Sequence, residues 1–278
     1  MTAVKTILVQ AEDSEAGASL LSEVAALAAT HGAHVVALAV AATPTLAYAG
    51  LPDIPPDVYA ADLADTRAEV EARATFAGER LARTGVSYET RAVVVPSGEV
   101  GKTFARQARY ADLTVFLRDL DDYDWHSLVD ATLFDSGRPV LIVPPGASLA
   151  NLGTRVAVAW YPGAEAVHAV HDALDLLVAA KDVHIVCVDP RVGPAGHGEE
   201  PGADLATMLA RHGLPVSVDA IPRQDRSIAT AILRHAAEME ADLVVSGAYG
   251  HSRLTEIILG GVTRDLMDDA DRPLLMSH

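Results

Sequence analysis

Short apolar runs alternate with longer stretches of helical spacing along the whole chain. The apolar runs predict strands near 5–10, 34–40, 86–95, 113–118 and 139–143 in the first half, and near 155–160, 183–189, 215–221, 243–247 and 273–277 in the second. The stretches between them predict helices near 14–31, 58–84, 98–111, 126–136, 164–180, 202–212, 227–240 and 262–270. Because the apolar runs lack strict alternation, we expect strands buried on both faces, in a doubly wound parallel α/β sheet with right-handed crossovers.

Three segments occur twice, in the same order. Residues 6–9 match 155–158, residues 111–116 (ADLTVF) match 241–246 (ADLVVS), and residues 138–143 (RPVLIV) match 272–277 (RPLLMS). Repetition of whole strand–helix units indicates duplicated domains. The sequence therefore predicts two tandem domains, 1–147 and 152–278, each with a five-stranded Rossmann-like sheet.

Composition and charge narrow the class of protein. Of the 278 residues 50% are hydrophobic but only 5% are aromatic, which favours helices packed on a parallel sheet over a sandwich or barrel. A formal net charge of −17 argues against nucleic acid and membranes as partners. No apolar run reaches the about 18 residues of a membrane span and no signal peptide is recognisable, so we expect a cytoplasmic protein.

The cysteine and histidine residues give little support to a disulfide or metal site. Cys187 is the single cysteine and lies in an apolar run, so we expect a buried thiol. His168 and His171 are three residues apart on a predicted helix, and His31 and His34 flank a turn. Neither pair has a visible third ligand, so the sequence predicts no metal site.

Two catalytic motifs have only partial matches. Residues 97–103 (SGEVGKT) end like a P-loop, but Pro96 stands where the first glycine of that motif belongs. No G-x-S-x-G nucleophile elbow occurs, which argues against a hydrolase. We therefore expect no catalytic residues.

A glycine-rich segment follows the strand predicted at 243–247 and leads into a helix near 262. Its glycines are Gly247, Gly250, Gly260 and Gly261. The free backbone N–H groups of a helix start bind anions. Side chains of the segment that could add hydroxyl donors or charge are Ser252, Thr263, His251 and Arg253. Alternatively, the glycines only allow a tight turn and close packing of helix on sheet, and the chemistry of these residues leaves both interpretations open.

The spacing of these glycines resembles a known nucleotide-binding signature. Gly247, two residues, Gly250, nine residues and then Gly260 match the pattern G-x2-G-x9-G-[S/T] of the universal stress protein family. The Gly-His-Ser, Gly-Val-Thr and Arg-Pro segments and the duplicated five-strand layout are also similar to that family. The chain is identified as a member of the tandem universal stress proteins, with two such domains.

In that family the loop glycines and the following Ser or Thr hold the phosphates of ATP, and an Asp after the first strand contacts the adenosine. Here Gly261 stands at the Ser/Thr position, and Tyr161 at the Asp position could stack on adenine or fill its pocket. The resemblance implies ATP or another adenine nucleotide as cofactor, which could bind with or without Mg²⁺. The implied nucleotide-binding residues are Tyr161, Ser246, Gly247, Gly250, His251, Ser252, Gly260, Gly261, Val262 and Thr263.

The first copy lacks the glycine loop. After its fourth predicted strand the chain reads DLDDYDW at 119–125, which contains no glycine and carries four aspartates that would repel phosphate. At the position of the family's Asp it has Glu12. We expect this copy to be a structural domain, and binding of a divalent cation by the acidic run is the alternative.

The resemblance implies a non-catalytic stress-response protein that binds an adenine nucleotide in its second domain and acts through a protein partner of unknown identity. A nucleotide-free interaction module and a weak ATPase are the alternatives. In the family the last strands pair across a two-fold axis. Val140–Val143 and Leu274–Ser277 would therefore pair within this chain as a pseudo-dimer, in a monomer or a homodimer.

Overall fold

The computed structural model describes residues 4–44, 55–122, 124–193, 199–248 and 261–278. Contacts divide the chain into two compact units. The N-terminal unit comprises Val4–Leu117 and Asp121–Arg138, and the C-terminal unit comprises Arg118–Leu120 and Pro139–His278. In both units strands alternate with helices, which confirms the predicted α/β class.

The N-terminal unit is a parallel sheet covered by helices. Its elements are β1 (Thr6–Gln10), α1 (Glu15–His31), β2 (His34–Ala42), α2 (Pro56–Leu81), β3 (Ser87–Val95), α3 (Val100–Ala108), β4 (Leu113–Leu117) and α4 (Trp125–Ser136). The strands lie in the order β3-β2-β1-β4 and are parallel. Phe104 and Phe116 pack in its core with ring centroids 5.0 Å apart.

The C-terminal unit repeats this pattern and adds one antiparallel strand. Its elements are β5 (Val140–Val143), β6 (Arg155–Ala159), α5 (Ala164–Ala173), β7 (Asp182–Val188), α6 (Ala203–Arg211), β8 (Val216–Ile221), α7 (Ile228–Glu238), β9 (Leu243–Gly247), α8 (Gly261–Asp269) and β10 (Leu274–Ser277). The strand order is β5-β10-β9-β6-β7-β8. β5 and β10 run antiparallel with Leu141 opposite Leu275, which confirms their predicted pairing. The domain boundaries 1–147 and 152–278 stay a prediction.

The repeated Ala-Asp segment has a structural role in both units. Asp112 Oδ2 accepts hydrogen bonds from the backbone N–H groups of Lys5 and Thr6, at 2.8 and 2.9 Å. Asp242 accepts three such bonds, and their donors are the N–H groups of Gly153, Thr154 and Arg155 at 2.7, 3.1 and 2.9 Å. Bonds to a carboxylate are stronger than neutral ones. Each aspartate therefore fixes the chain where it enters the central strand, β1 or β6.

Helix α5 is shorter than the sequence predicts. It ends at Ala173, whereas the helical spacing predicts 164–180. The chain then continues in turns, and the backbone of Leu176 packs against Gly153. A Cβ on Gly153 would lie 2.3 Å from the Leu176 carbonyl oxygen. Tertiary packing therefore overrides the local helical preference here.

The helix lengths are typical of globular proteins. The longest, α2, has 26 residues and carries charged side chains along its length. Within the described ranges, no helix combines the length and the apolar composition that a membrane-spanning helix requires.

Candidate functional site

A cavity lies at the carboxyl ends of the strands in the C-terminal unit. β6 and β9 are parallel neighbours, with Ala159 opposite Ser246, and β7 lies on the other side of β6. The gap between β6 and β9 is therefore the topological switch point, where parallel α/β sheets bind ligands. A cavity of about 250 Å³ opens there.

The cavity gathers the part of the predicted site that the structure describes. Its lining residues are Ala159, Trp160, Tyr161, Gly163, Glu165, Ala166, Val186, Val188, Ile228, Ile232, Ser246, Gly247, Val262 and Thr263. This set includes five of the ten predicted nucleotide-binding residues, namely Tyr161, Ser246, Gly247, Val262 and Thr263. Gly261 is the first residue of α8. The remaining four, Gly250, His251, Ser252 and Gly260, lie outside the described residues.

One wall of the cavity is apolar. Val186 and Val188 come from the end of β7, and Ile228 and Ile232 come from α7. The sequence analysis missed these four, although Val186 and Val188 alternate at a strand end where ligands are expected. Tyr161 also lines the cavity, and it is 47% exposed. A wall of this kind can bury a flat aromatic ring.

Two helices begin beside the cavity. α5 follows Gly163, and α8 starts at Gly261. Helix starts carry unpaired N–H groups and a partial positive charge, both of which attract anions. Glu165 lines the cavity from the first turn of α5, and its carboxylate repels an anion at that end. Of these two helices, α5 carries an acidic residue in its first turn and α8 does not.

Gly247 and Gly261 lack a side chain for different reasons. A Cβ on Gly247 would lie 2.5 Å from the backbone nitrogen of Ala166. Gly247 therefore lets α5 pack closely on the end of β9. Close packing of helix on sheet was one of the two interpretations of these glycines that the sequence allowed. At Gly261, a Cβ would meet no described atom within 4 Å. No described atom would therefore obstruct a side chain at Gly261.

The polar side-chain groups of the described lining are three hydroxyls, one indole N–H and one carboxylate. Ser246 and Thr263 are buried, at 6% and 5% exposure. Ser246 Oγ donates to the Gly247 carbonyl oxygen at 3.0 Å. No Lys, Arg or His occurs among the lining residues that the structure describes. An anion there would be held by backbone N–H groups and hydroxyls rather than by a cationic side chain.

In the N-terminal unit an indole ring covers the end of the fourth strand. It belongs to Trp125, the first residue of α4. Trp125 is 1% exposed, and its Nε1–H donates to the Leu117 carbonyl oxygen, at the end of β4, at 2.6 Å.

The P-loop-like segment is part of a packed helix. Gly101 lies in α3, and a Cβ on it would lie 2.8 Å from the Cβ of Ala131 in α4. Lys102 Nζ lies 2.9 Å from Glu99 Oε1. The glycine thus serves contact between two helices, and the lysine has a carboxylate partner on its own segment.

The predicted buried cysteine is confirmed. Cys187 is 0% exposed, and burial together with the nearby charge of Asp219 raises the pKa of its thiol to about 11. The thiolate, which is the reactive form, is therefore scarce at neutral pH. His168 and His171 lie on α5 and belong to no cluster of metal-binding side chains within the described residues.

Comparisons with known proteins agree with this fold. The model of the universal stress protein family matches residues 3–116 and 154–278. A crystal structure of a universal stress protein from Archaeoglobus fulgidus is 17% identical, with a TM-score of 0.71, and the match covers 98% of this chain and 95% of that one. A functionally unknown protein from Pseudomonas aeruginosa is 17% identical, with a TM-score of 0.58, 99% of this chain and 92% of that one being covered. A comparison with curated proteins finds no match. The chain belongs to the universal stress protein family.

Proposed function

We propose that this protein is a non-catalytic regulator whose C-terminal unit binds an adenine nucleotide, ATP, ADP or AMP, between β6 and β9. The observation that carries the proposal is the cavity at the switch point, whose lining joins an apolar wall to the first described turn of α8. A nucleotide needs both surfaces, because its base is apolar and flat and its phosphates are anionic. Bound nucleotide would shift a conformational population that a protein partner recognises.

In this proposal the two ends of the nucleotide contact different elements. The base packs against Val188 and Ile228, with Tyr161 available to stack on its exposed face. The phosphates lie at Gly261 and receive hydrogen bonds from the first N–H groups of α8. Thr263 lines the cavity two residues after Gly261, and its hydroxyl would replace the one that Gly261 lacks.

The polar groups of the cavity support binding rather than catalysis. Glu165 is the one carboxylate in the described lining, and it lies at the start of α5. Phosphoryl transfer uses a positioned base and a metal held between carboxylates and phosphates. A single carboxylate does not supply both. Mg²⁺ would then accompany ATP as its counterion, without a pair of protein carboxylates in the described lining to hold it.

The first test is to purify the full chain without added nucleotide, denature it, and identify any released small molecule by mass spectrometry. ATP, ADP and AMP are then titrated by calorimetry against wild type and Val188→Trp. Val188 is half-buried at the end of β7, so a larger side chain there fills the cavity without entering the core. The matched control is Val192→Trp, because Val192 is 70% exposed and lies outside the lining.

We expect retained nucleotide or measurable binding that Val188→Trp weakens at least about tenfold and Val192→Trp leaves unchanged. Absence of binding to the wild type would reject the proposal in favour of an interaction module that works without nucleotide. Turnover of ATP that Val188→Trp abolishes would instead identify the third class, a weak ATPase.

A further inference from the structure

Two histidines and an aspartate meet on one face of the C-terminal sheet, outside the cavity. β7 and β8 are parallel with His184 opposite Ser217 and Val186 opposite Asp219. Since alternate residues of a strand share a face, His184 and Asp219 lie on the same side of the sheet. α7 packs on that side and brings His235 to them. His184 Nδ1 lies 2.6 Å and His235 Nε2 lies 2.7 Å from Asp219 Oδ2.

These three groups have the composition of a transition-metal site. The candidate ligand atoms all lie within 4.8 Å of one another. Imidazole nitrogens suit Zn²⁺, Cu²⁺ and Ni²⁺, whereas Mg²⁺ and Ca²⁺ prefer sites made of oxygen alone. In a tetrahedral zinc site with bonds of about 2.0–2.1 Å, neighbouring ligand atoms are roughly 3.3 Å apart. Each nitrogen would therefore have to move away from the Asp219 oxygen by roughly 0.6–0.7 Å, which side-chain rotation can supply.

The surroundings of His184 are those of a metal ligand. Its other ring nitrogen, Nε2, lies 3.0 Å from Asp182 Oδ2. Histidines that bind metals through one nitrogen usually donate from the other to a carboxylate, which fixes the ring and raises its basicity. Ser217 Oγ lies 3.0 Å from Nδ1 and is the group that an ion would displace there.

The cluster is accessible to an ion but held in place by packing. The side chains of His184, Asp219 and His235 are 19%, 25% and 22% exposed. Arg234 neighbours His235 in the sequence, but its Nε lies 2.7 Å from Glu238 Oε1, which offsets its positive charge. An ion can therefore reach the cluster from solvent without meeting an unpaired cation at Arg234.

The N-terminal unit provides an incomplete copy of the same arrangement. His34 is opposite Ser87, and its Nδ1 lies 2.8 Å from the Ser87 hydroxyl. Glu89 corresponds to Asp219, because each lies two residues after the serine, but Glu89 pairs with Arg91. Ala105 stands where His235 stands, six residues before the repeated Ala-Asp segment. Only the C-terminal copy thus combines two imidazoles with a carboxylate.

We propose that His184 Nδ1, Asp219 Oδ2 and His235 Nε2 bind one divalent first-row transition-metal ion of the Zn²⁺ type, with water completing the coordination. Each ligating nitrogen must present a lone pair to the ion, so a neutral imidazole carries its one proton on the other ring nitrogen, and an imidazolium releases one proton to solvent on binding. α7 carries Ile228 and Ile232 to the cavity and His235 to the ion. The ion would therefore fix the helix that forms the apolar wall.

The test uses the full chain without an affinity tag, stripped with EDTA and dialysed. ZnCl₂ is titrated by calorimetry into wild type, His235→Gln and Asp219→Asn. The matched control is His34→Gln, which removes the repeat-equivalent histidine. Co²⁺ loading gives an independent readout, because visible absorption bands report the number and type of ligands. Thermal unfolding of each apoprotein shows whether a variant is folded.

We expect one Zn²⁺ per chain in wild type and His34→Gln, and affinities at least about tenfold weaker in His235→Gln and Asp219→Asn. If His235→Gln does not fold, the Zn²⁺ affinity of Asp219→Asn and the Co²⁺ spectrum of the wild type test the proposal instead. Absence of stoichiometric binding to wild type, or equal affinity in folded His235→Gln, would overturn the proposal. The cluster would then be a hydrogen-bonded network that joins β7, β8 and α7.

Discussion

Single residues near the end of the fourth strand distinguish the two units. In the N-terminal unit the indole of Trp125 is buried and donates to the end of β4. In the C-terminal unit Gly261 lacks the family's hydroxyl, and a Cβ there would meet no described atom within 4 Å.

Gly261→Ser should therefore strengthen nucleotide binding. A serine hydroxyl at this position adds one donor to a charged phosphate, which is worth about 1.5–3 kcal/mol or roughly 10- to 150-fold in affinity. Calorimetric titration with ADP measures the change. Gly261→Ala is the control, since it adds the Cβ without the hydroxyl. A serine variant that binds no better than the alanine variant would contradict a phosphate position at α8.

A second residue-scale prediction concerns Gly153, which has a φ of +83°. An alanine there would pay about 1–2 kcal/mol for the left-handed backbone and would also clash with the Leu176 carbonyl oxygen. Gly213→Ala separates the two effects, because Gly213 has a φ of +81° and no described atom within 4 Å of its Cβ position. We expect chemical denaturation to show a clearly larger loss for Gly153→Ala, and equal losses would refute the close packing.

At the scale of elements, the carboxylate before β9 organises the entry into β6. Asp242→Asn replaces one acceptor oxygen by an NH₂ group that faces a backbone donor, so we expect a loss of about 1–3 kcal/mol in the free energy of unfolding. Urea denaturation followed by circular dichroism measures it. Asp225→Asn, at an exposed position in the turn before α7, should change the free energy by less than about 0.5 kcal/mol. Similar stabilities of the two variants would show that the hydrogen bonds of Asp242 are not important.

The elements themselves could be predicted from sequence because short apolar runs and helical spacing are local signals. The antiparallel pairing of β5 with β10 was also predictable, through the family resemblance. The early end of α5 could not be predicted from the sequence, because it depends on contact between Leu176 and Gly153, which are distant in sequence. The apolar wall from α7 and the meeting of His184 with His235 were missed for the same reason.

For the whole molecule, duplication has produced two units of one design with different sites. Both keep the aspartate that fixes the central strand, at Asp112 and Asp242. The cavity and the His-Asp-His cluster both belong to the C-terminal unit. We therefore propose that the C-terminal unit binds the ligands and that the N-terminal unit has a structural role.

The most direct test of this account is the stoichiometry of nucleotide binding to the full chain. Calorimetric titration of ADP against wild type and Val188→Trp gives the number of sites and their location together. The account predicts one nucleotide per chain, with binding lost or strongly weakened in Val188→Trp. Two nucleotides per chain, or one whose affinity Val188→Trp leaves unchanged, would contradict a single site in the C-terminal unit.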